Sequence, residues 1–332
     1  MSIRKIAVVL IADEHIGSGH LMRVRNLLPY LHNCEFTLIT ESLGERFVPL
    51  CQDYKEIVRV KSDEETLKAL KTLKPSLVLI DNYSVDISLE RRVHELCPIA
   101  VIDDLANRRH QADILFDHGL LRKAQDYQGL VPDNCRLCIG AEYALVREAF
   151  AAIPQHKAAD EPLVLINFGG ADPVGACMLT AESVLKARLN EKYRFLILSG
   201  ISNPQHEALE AKFSGIHNFT VQRYCDDMPG LFSKCDLSFG AYGGSFGERL
   251  CAGLPSINTV IADNQEGAPE ILKRYEVGLD LPLEGLSDPD KVAGALNTLA
   301  AKREIFVRNG RTLIDGRGYV RVSEALLECL KG

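Results

Sequence analysis

The sequence predicts an α/β protein made of two doubly wound, parallel-sheet lobes that face each other across a cleft. The chain has 332 residues, which is long for one domain and suitable for two of medium size. Its 46% hydrophobic and 25% charged residues are typical of globular proteins. Short apolar runs alternate with amphipathic segments on both sides of one aperiodic stretch, and such alternation favours parallel sheets.

The first half of the chain contains the first set of predicted elements. Six apolar runs predict strands at Ile6–Ile11, Phe36–Ile39, Ile57–Val60, Leu77–Ile80, Ile99–Ile102 and Ile114–Phe116. The spacing of apolar residues between these runs predicts helices over residues 24–31, 64–73 and 89–96. We assign these elements to an N-terminal lobe, residues 1–150.

The second half repeats this pattern after a stretch without periodicity. Residues 151–161 are rich in alanine and charge, with proline near each end, and are typical of a linker. Further strands are predicted at Leu163–Asn167, Phe195–Leu198, Phe219–Val221, Leu237–Phe239, Ile257–Ile261 and Leu279–Leu281. We assign residues 162–305 to a C-terminal lobe. Residues 306–332 form a helical segment, in which 319–330 is expected to cross back to the first lobe by analogy with related folds.

The charge and the N-terminus exclude some classes of partner. The formal net charge of −7 argues against broad binding to nucleic acid or anionic membranes, although backbone N–H groups can still form a local phosphate site. The apolar run Ile6–Ile11 is too short for a signal peptide or a membrane-spanning helix. We therefore expect a soluble, cytoplasmic protein without stable membrane insertion.

The ten cysteines indicate neither disulfides nor a metal site. Several lie in apolar surroundings, where thiols pack as small hydrophobic groups. The one Cys-x-x-Cys motif, Cys135 to Cys138, lacks a second pair and nearby histidines, so we assign it no metal or redox role. No cofactor and no metal are expected.

The loop after the first strand contains the strongest candidate for catalysis. Ligands of open parallel sheets bind beyond the carboxyl ends of strands, where the segment from Asp13 to His20 leads into a helix. His20 falls in the first helical turn. There the helix dipole and Arg23 disfavour an imidazolium, so we expect a neutral ring that can accept a proton. Gly17 and Gly19 allow a tight turn and close approach of a ligand. The alternative is a helix-capping loop with an incidental histidine.

Glycine-rich loops of the second lobe are candidate diphosphate sites, because backbone N–H groups at helix N-termini bind phosphate. The candidates are Gly169, Gly170 and Asp172 in one loop, Gly243, Gly244 and Ser245 in another, Glu248 in the following helix, and Asn264 with Gln265 after a later strand. A carboxylate can bind ribose hydroxyls, and amides can bind sugar hydroxyls. The alternatives are turns without a ligand and, for Glu248, a favourable charge near a helix N-terminus.

Two carboxylate clusters follow strands of the first lobe, Asp81-Asn82-Tyr83 and Asp103-Asp104. Paired carboxylates can be catalytic, but more often one caps a helix and the other is solvated or paired with arginine. The chain has no Walker lysine motif, HExxH or GxSxG, and Met22 stands where a dinucleotide fingerprint needs its third glycine. ATP-dependent phosphoryl transfer, zinc proteolysis, serine hydrolysis and a Rossmann cofactor therefore lack support.

Taken together, these segments resemble one family over nearly the whole chain. The segments are Ile16-Gly-Ser-Gly-His-Leu-Met-Arg23, Ile80-Asp-Asn-Tyr-Ser-Val-Asp86, Ile102-Asp-Asp-Leu-Ala106, Gly140-Ala-Glu-Tyr-Ala-Leu-Val-Arg147, Phe168-Gly-Gly-Ala-Asp-Pro173, Gly243-Gly-Ser-Phe-Gly-Glu248, Asn264-Gln265 and Asp315-Gly-Arg-Gly318. Their order and content are similar to those of the UDP-2,4-diacetamido-2,4,6-trideoxy-β-L-altropyranose hydrolases of pseudaminic acid biosynthesis. That family is a hydrolytic branch of the GT-B glycosyltransferases, so the resemblance implies a GT-B-like fold of two Rossmann-like lobes.

The resemblance also implies a reaction and a partner. Water would cleave a UDP-linked 2,4-diacetamido-2,4,6-trideoxy sugar at the anomeric carbon, with inversion and without a metal. His20 matches the family's base, Tyr83 a second residue of the sugar site, and Glu248 the ribose ligand. Asp13, Gly17, Gly19, Arg23, Asn264 and Gln265 would contact the sugar. The partner is then a small-molecule UDP-sugar, and weak association with other enzymes of the sugar pathway is expected.

The chain departs from the family pattern in two places. The family usually has an arginine two residues before the aspartate that ends the first strand, where this chain has Ile11. A phenylalanine, Phe246, stands where the family commonly has threonine beside the phosphate loop. The particular sugar, and the choice between hydrolysis and transfer, stay open at this point.

Two other functions are compatible with these residues. A transferase of the same fold would pass the sugar to an acceptor alcohol, and residues 20–31, with Arg23 and Arg25, are a candidate patch for lipid-linked acceptors. A nucleotide-sugar binding protein that has lost its chemistry is the third possibility, against which the presence of His20 argues.

Overall fold

The computed structural model describes residues 3–155 and 159–330, without the side chain of Asn264. The chain divides into two compact units. Unit 1 contains residues 1–145 and 317–332, and unit 2 contains residues 146–316. Each unit is a parallel sheet with helices packed on it, as the sequence predicts for two Rossmann-like lobes.

Unit 1 contains a seven-stranded sheet. Its strands are β1 (Arg4–Leu10), β2 (Cys34–Thr40), β3 (Glu56–Arg59), β4 (Leu77–Asp81), β5 (Ile99–Ile102), β6 (Ile114–Asp117) and β7 (Arg136–Ile139). They are parallel and lie in the order β3-β2-β1-β4-β5-β6-β7. The central strands β4, β5 and β6 are buried along their whole length, as expected for a sheet covered on both faces.

Helices cover both faces of this sheet. They are α1 (Gly19–Leu27), α2 (Asp63–Leu73), α3 (Ile87–His94) and, at the C-terminus of the chain, α12 (Gly318–Cys329). Leu21 of α1 and Val322 of α12 belong to one apolar cluster, whereas Leu70 of α2 and Val93 of α3 belong to the cluster on the opposite face. Ser62 caps α2 and Asp86 caps α3, since each side chain accepts hydrogen bonds from backbone N–H groups of the first turn.

Unit 2 contains a six-stranded parallel sheet in the order β10-β9-β8-β11-β12-β13. The strands are β8 (Leu163–Asn167), β9 (Arg194–Leu198), β10 (Phe219–Gln222), β11 (Leu237–Ala241), β12 (Ser256–Thr259) and β13 (Leu279–Asp280). The helices are α4 (Glu148–Ala151), α5 (Ala176–Lys186), α6 (His206–Phe213), α7 (Met228–Phe232), α8 (Gly244–Ala252), α9 (Pro269–Tyr275), α10 (Pro289–Ala301) and α11 (Arg303–Leu313).

The boundaries of the units differ from the predicted ones. Unit 2 begins before the predicted linker 151–161, because α4 packs within unit 2 and its buried Phe150 lies 5.4 Å from Phe232, ring centre to ring centre. Residues 156–158 of that linker lie outside the described residues. The segment 306–332 is divided. Helix α11 belongs to unit 2, whereas α12 belongs to unit 1, where Tyr319 stacks on Tyr30.

Each sheet has one switch point, the place where strands that follow each other in the sequence run outward in opposite directions. In unit 1 this place lies between β1 and β4, and in unit 2 between β8 and β11. Loops that leave the carboxyl ends of such strand pairs diverge and open a crevice, which is where ligands bind in this class of sheet. Across residues 3–155 and 159–330, no helix is long and apolar enough to span a membrane.

Candidate active site

The loop between β1 and α1 is shaped by Asp13. Its Oδ1 atom accepts hydrogen bonds from the backbone N–H groups of His15 and Ile16, each at 2.9 Å. The Gly17 N–H donates to the Asp13 carbonyl at 2.7 Å, and Gly17 has φ +83°, where a side chain would be strained. The hydrogen bond from Ile16 is the main cause of the lowered pKa of Asp13. Asp13, a predicted sugar ligand, therefore has one oxygen committed to holding the loop.

His20 lies in the first turn of α1 and pairs with Asp81, the last residue of β4. Its Nδ1 atom is 2.6 Å from Asp81 Oδ1. His20 is 7% exposed and Asp81 is fully buried. Because β1 and β4 are neighbours at the switch point, the start of the helix after β1 reaches the end of β4. The sequence did not predict this pair, since the two residues are 61 positions apart.

Arg23 follows His20 by three residues and faces the same carboxylate. Its Nε atom donates to Asp81 Oδ2 at 2.6 Å, and its Nη2 atom donates to Asp81 Oδ1. Its Nη1 atom donates to Asp104 Oδ2 at 2.9 Å. The guanidinium is therefore matched by two carboxylates and does not act on the His20 ring as an isolated positive charge. Arg23 therefore holds Asp81 in place, and its role as a sugar ligand stays a prediction.

These contacts favour the charged forms of Asp81 and Arg23. Burial alone would raise the pKa of Asp81, but Arg23 and His20 outweigh burial and lower that pKa from 3.8 to about 2. Burial opposes the charge of Arg23 in the same way, yet Asp81 and Asp104 raise the pKa of its guanidinium above the usual value. Asp81 is therefore an anion at neutral pH and can only accept hydrogen bonds.

The ionised Asp81 fixes the tautomer of His20. A carboxylate accepts hydrogen bonds, so in the neutral form of the His20 ring the hydrogen lies on Nδ1 and the lone pair on Nε2. The Nη2 atom of Arg23 lies 3.0 Å from the same Nδ1, but both groups are donors and do not bond to each other. An imidazole that is oriented by a buried carboxylate and has a free Nε2 is the arrangement required of a general base.

Tyr83 lies beside this imidazole. Its ring packs edge-on against His20, with the ring centres 4.8 Å apart, and its hydroxyl donates to Asp104 Oδ1 at 2.6 Å. Burial and the hydrogen bond to Asp104 raise the pKa of the Tyr83 phenol. Tyr83 is 40% exposed. It therefore remains protonated at neutral pH and presents an accessible ring edge next to the base.

His118, which the sequence did not single out, belongs to the same surroundings. Burial, together with the positive charge of Arg23, lowers the pKa of His118 to about 4. Its Nδ1 atom is buried and has no hydrogen-bond partner among the residues that the structure describes. This ring is therefore neutral at physiological pH.

Asp103 and Asp104, the paired carboxylates after β5, have different roles. Asp103 is fully buried and accepts hydrogen bonds from Arg108 Nη1 at 2.9 Å and from Tyr127 Oη at 2.8 Å. Asp104 connects Arg23 and Tyr83. Asp103 thus stabilises the end of the sheet, and Asp104 organises the groups around His20.

The loop after β8 brings Gly169 and Gly170 to the switch point of unit 2. Gly169 has φ +94°, and a Cβ atom added to either glycine would meet nothing within 4 Å. The loop rests on Gly200, at the end of β9, which has φ +100°. A Cβ atom on Gly200 would lie 2.4 Å from the Gly170 carbonyl oxygen. The two predicted phosphate-loop glycines are therefore open on one side and closely packed on the other.

Asp172, a predicted UDP ligand, is the cap of α5. It is 3% exposed, and its two oxygens accept hydrogen bonds from the N–H groups of Ala176 at 2.8 Å and Cys177 at 2.9 Å. These are among the N–H groups that α5 itself cannot satisfy. Asp172 thus shapes the loop, and its role as a UDP ligand stays a prediction.

The second glycine-rich turn lies at the N-terminus of α8. Gly243 precedes the helix, and Gly244 and Ser245 are its first residues, so their N–H groups have no acceptor within the helix. A Cβ atom on Gly244 would again meet nothing within 4 Å. Phe246 points away from this turn. It is 4% exposed and packs edge-on against Tyr242, with the ring centres 5.2 Å apart. The predicted bulky ring beside the phosphate loop is therefore part of the core.

Glu248 lies on the same face of α8 as Gly244 and Ser245, four and three residues earlier. Burial raises the pKa of its carboxyl group, although the charges of Arg147 and Arg249 partly offset this. Within the described part of the chain, no side chain or backbone group forms a hydrogen bond or ion pair with its carboxylate. A half-buried carboxylate without a partner is suited to hydroxyl donors from a ligand.

A cavity of about 400 Å³ in unit 2 joins most of these residues. Its lining includes Gly169, Gly170, Gly243, Gly244, Ser245, Gln265 and Tyr224, and it does not include Asp172 or Glu248. The Gln265 Oε1 atom accepts a hydrogen bond from the Ile261 N–H at 3.1 Å, which turns its amide nitrogen toward Gly243. The side chain of Asn264 lies outside the described residues.

Two Rossmann-like units, each with candidate ligand-binding loops at its switch point, define a GT-B-like protein. No protein-family profile matches the chain. The chain is 21% identical over 326 residues to the spore coat polysaccharide biosynthesis protein SpsG of Bacillus subtilis, which covers 93% of this chain and 94% of that protein. It is 28% identical over 211 residues to the UDP-2,4-diacetamido-2,4,6-trideoxy-β-L-altropyranose hydrolase of Campylobacter jejuni, which covers 62% of this chain and 73% of that protein. The resemblance found in the sequence motifs is thereby confirmed.

Solved structures confirm the fold. The kitacinnamycin glycotransferase superposes with a TM-score of 0.69 at 14% identity, covering 99% of this chain and 100% of that one. The UDP-GlcNAc 2-epimerase of Neisseria meningitidis, solved with UDP-GlcNAc bound, gives a TM-score of 0.64 at 12% identity, covering 98% and 100%. At such low identities the similarity concerns the fold alone.

Proposed function

We propose that this chain is an enzyme of nucleotide-sugar metabolism that hydrolyses a UDP-linked 2,4-diacetamido-2,4,6-trideoxyhexose to UDP and the free sugar. Unit 1 supplies the base, and unit 2 binds UDP. The pathway that this activity serves is the synthesis of a nonulosonic acid such as pseudaminic acid. The similarity to the Campylobacter jejuni hydrolase supports the substrate, and the similarity to SpsG supports a role in polysaccharide synthesis.

The observation that carries the proposal is the pair formed by His20 and Asp81. His20 Nε2 takes a proton from water while the water oxygen attacks the anomeric carbon. The bond between that carbon and the β-phosphate oxygen breaks at the same time, and its electron pair leaves with UDP. Attack from the face opposite UDP inverts the anomeric centre. The proton stays on Nε2, and the imidazolium that forms is stabilised by the ionised Asp81, which accepts the hydrogen bond from Nδ1–H.

The loops of unit 2 support UDP as the leaving group. Backbone N–H groups at Gly169, Gly170, Gly244 and Ser245, in turns with free space beside the glycines, can stabilise the charge that gathers on the departing diphosphate. The carboxylate of Glu248 can accept hydrogen bonds from the ribose hydroxyls. Because UDP is a good leaving group, the reaction does not depend on a strong general acid.

Tyr83 supports a sugar site next to the base. Its protonated phenol is held by Asp104, and its exposed ring edge lies beside His20. Two exposed apolar side chains lie in loops of the same unit. Ile16, after β1, is 50% exposed, and Leu105, after β5, is 41% exposed. Such a surface favours a sugar with methyl and acetyl substituents over a fully hydroxylated one.

A transferase is the second candidate, and the fold likeness to the kitacinnamycin glycotransferase favours it. The same base would then deprotonate an acceptor alcohol instead of water. One experiment separates the two. Purified protein is offered a panel of UDP-sugars with and without acceptor alcohols, and UDP and free sugar are measured. We expect UDP and free sugar in equal amounts without acceptor. UDP release that requires an acceptor would establish the transferase, and no UDP release from any sugar would refute both.

A further inference from the structure

Arg249, in the second turn of α8, is a buried cation. The Arg249 residue as a whole is 1% exposed. Its Nη1 atom donates to Ser245 Oγ at 3.0 Å, and its Nη2 atom donates to the Ala241 carbonyl at 2.7 Å and to Asn258 Oδ1 at 3.0 Å. Its Nε atom is buried without a hydrogen-bond partner in the described part of the chain. All of its partners are therefore neutral.

Arg249 has no ion-pair partner in the described part of the chain. Among the described residues, no carboxylate lies within ion-pair distance of its guanidinium, in contrast to Arg23, which has two. Burial lowers the pKa of Arg249 to about 10, so the group is still a cation at neutral pH. Buried charges in proteins are almost always paired or bound to a ligand. Glu248 acts on Arg249 only from beyond ion-pair distance. A buried arginine without an ion-pair partner thus indicates an anion that comes from outside the chain.

The neighbouring residues are arranged around this guanidinium. A Cβ atom on Gly240 would lie 2.6 Å from Arg249 Nη1, so this position of β11 admits no larger residue while Arg249 is in place. The Asn258 amide is oriented by Ser256, whose hydroxyl donates to Asn258 Oδ1 at 2.9 Å and whose carbonyl accepts from Nδ2 at 3.1 Å. The oxygen of that amide is thereby turned toward Arg249. The guanidinium of Arg249 is therefore held in a fixed position by its neighbours.

Ser245 connects Arg249 to the glycine-rich turn. Its oxygen accepts a hydrogen bond from the guanidinium, which leaves its hydroxyl hydrogen available for another acceptor. Hydrogen bonds in chains polarise one another, so a hydroxyl that accepts from a cation is a better donor. The N–H groups at the start of α8 and the positive end of its dipole lie at the same turn. The guanidinium, the Ser245 hydroxyl and the N–H groups of α8 together favour a negatively charged ligand.

We propose that Arg249 is the counter-charge for the pyrophosphate of the bound nucleotide and acts through Ser245, which it orients and polarises. The inference rests on the proposed function, because it takes the cavity bounded by Gly243 and Ser245 as the UDP site. Arg249 is then a positioning residue, since it lies behind Ser245 and does not itself contact the reacting atoms. The same charge stabilises UDP as it leaves, so Arg249 affects turnover as well as affinity.

Calorimetric binding of UDP, uridine and inorganic pyrophosphate tests the proposal on the wild-type chain and on Arg249→Met. We expect the variant to lose UDP affinity by roughly 10-fold, because the Ser245 hydroxyl is then neither oriented nor polarised, with uridine affinity unchanged. Replacing a buried unpaired charge by an apolar side chain is often neutral or stabilising, so the unfolding temperature should not fall. Equal losses of UDP and uridine affinity, or a fall in unfolding temperature without a change in UDP affinity, would overturn the proposal.

Ser245→Ala provides a second test if the first variant does not fold. It leaves Arg249 and the core in place and removes the hydroxyl between the cation and the ligand. We expect a roughly 3- to 10-fold loss of UDP affinity. In the double variant the two effects should not add, because both changes interrupt the same path from Arg249 to the phosphate. Unchanged UDP affinity in Ser245→Ala, or additive losses in the double variant, would overturn the role through Ser245.

The two proposals fail in different ways. A wild-type chain that binds neither UDP nor pyrophosphate would overturn the proposed function. A wild-type chain that binds UDP, together with an Arg249→Met variant that binds it equally well, would overturn the role of Arg249 and leave the proposed function standing.

Discussion

Asp81→Asn is expected to inactivate the enzyme while leaving the fold intact. The asparagine amide has nearly the same shape as the carboxylate but no charge. It can donate to His20 Nδ1, which would then carry the lone pair and place the hydrogen on Nε2. In that tautomer Nε2 cannot take a proton from water. The loss expected for a general base in the wrong tautomer is roughly 10²- to 10⁴-fold in turnover.

The cost in stability follows from the same contacts. The pKa of Asp81 is about 2 in the folded chain and 3.8 in the reference state, and a difference of this size corresponds to about 2–3 kcal/mol. Because the folded pKa is the lower one, this contribution is present above pH 4 and is lost as the pH falls toward 2. Removing it at pH 7 should lower the unfolding temperature of a unit of this size by roughly 5–10 °C.

Steady-state release of UDP and thermal unfolding, each followed as a function of pH, measure both effects. Asp104→Asn is the matched control. This substitution also removes a carboxylate that pairs with Arg23. The amide oxygen of the new asparagine can still accept a hydrogen bond from the Tyr83 hydroxyl, and residue 104 forms no hydrogen bond with His20. The control should therefore lose stability but keep turnover within about 10-fold. Turnover of a folded Asp81→Asn variant within a factor of three of the wild type would refute the assignment of Asp81.

Two further changes test unit 2. Glu248→Gln should weaken UDP binding by roughly 10-fold in calorimetry. It should also raise the unfolding temperature at neutral pH, because burial raises the pKa of Glu248 and its ionised form costs stability above that pKa. Unchanged UDP affinity would show that Glu248 is not part of the nucleotide site. Gly200→Ala should destabilise the chain by at least about 2 kcal/mol, since its φ is +100° and the new Cβ meets the Gly170 carbonyl. If the wild type and Gly200→Ala unfold at the same denaturant concentration, the close contact between Gly200 and the Gly170 carbonyl is contradicted.

Most of the fold could be predicted from the sequence because the strands are apolar runs in an α/β pattern. Twelve of the strands coincide with predicted runs, within a few residues at their ends. Strand β7 (Arg136–Ile139) was missed because it is short and contains arginine and cysteine. Its Cys138, which drew attention as part of a Cys-x-x-Cys motif, is a fully buried core residue.

The site could be predicted only where its residues are close in the sequence. His20, Arg23 and the glycine-rich turns stand out as local patterns at strand ends. The contact of His20 with Asp81 depends on the strand order, because β4 lies beside β1 in the sheet and far from it in the chain. A topology argument that placed the first and fourth strands together would have found it. Arg249 gave no local signal, since an arginine in a helix is usually exposed.

Two predicted ligand residues have local roles in the structure, and their contact with a ligand stays a prediction. Asp13 and Asp172 follow strands in loops that lead to helices, which is where ligand-binding carboxylates occur. In the structure Asp13 closes its own loop and Asp172 caps α5. Both patterns are also typical of aspartate as a turn and cap former, so the sequence alone could not separate the two uses.

The most direct test of the account is the turnover of His20→Ala on the preferred UDP-sugar, measured together with its affinity for UDP. We expect turnover to fall by roughly 10²- to 10⁴-fold while UDP affinity stays within a factor of two, because the proposed base lies in unit 1 and the proposed UDP site in unit 2. Turnover close to that of the wild type would show that water is activated by another group and would contradict the account.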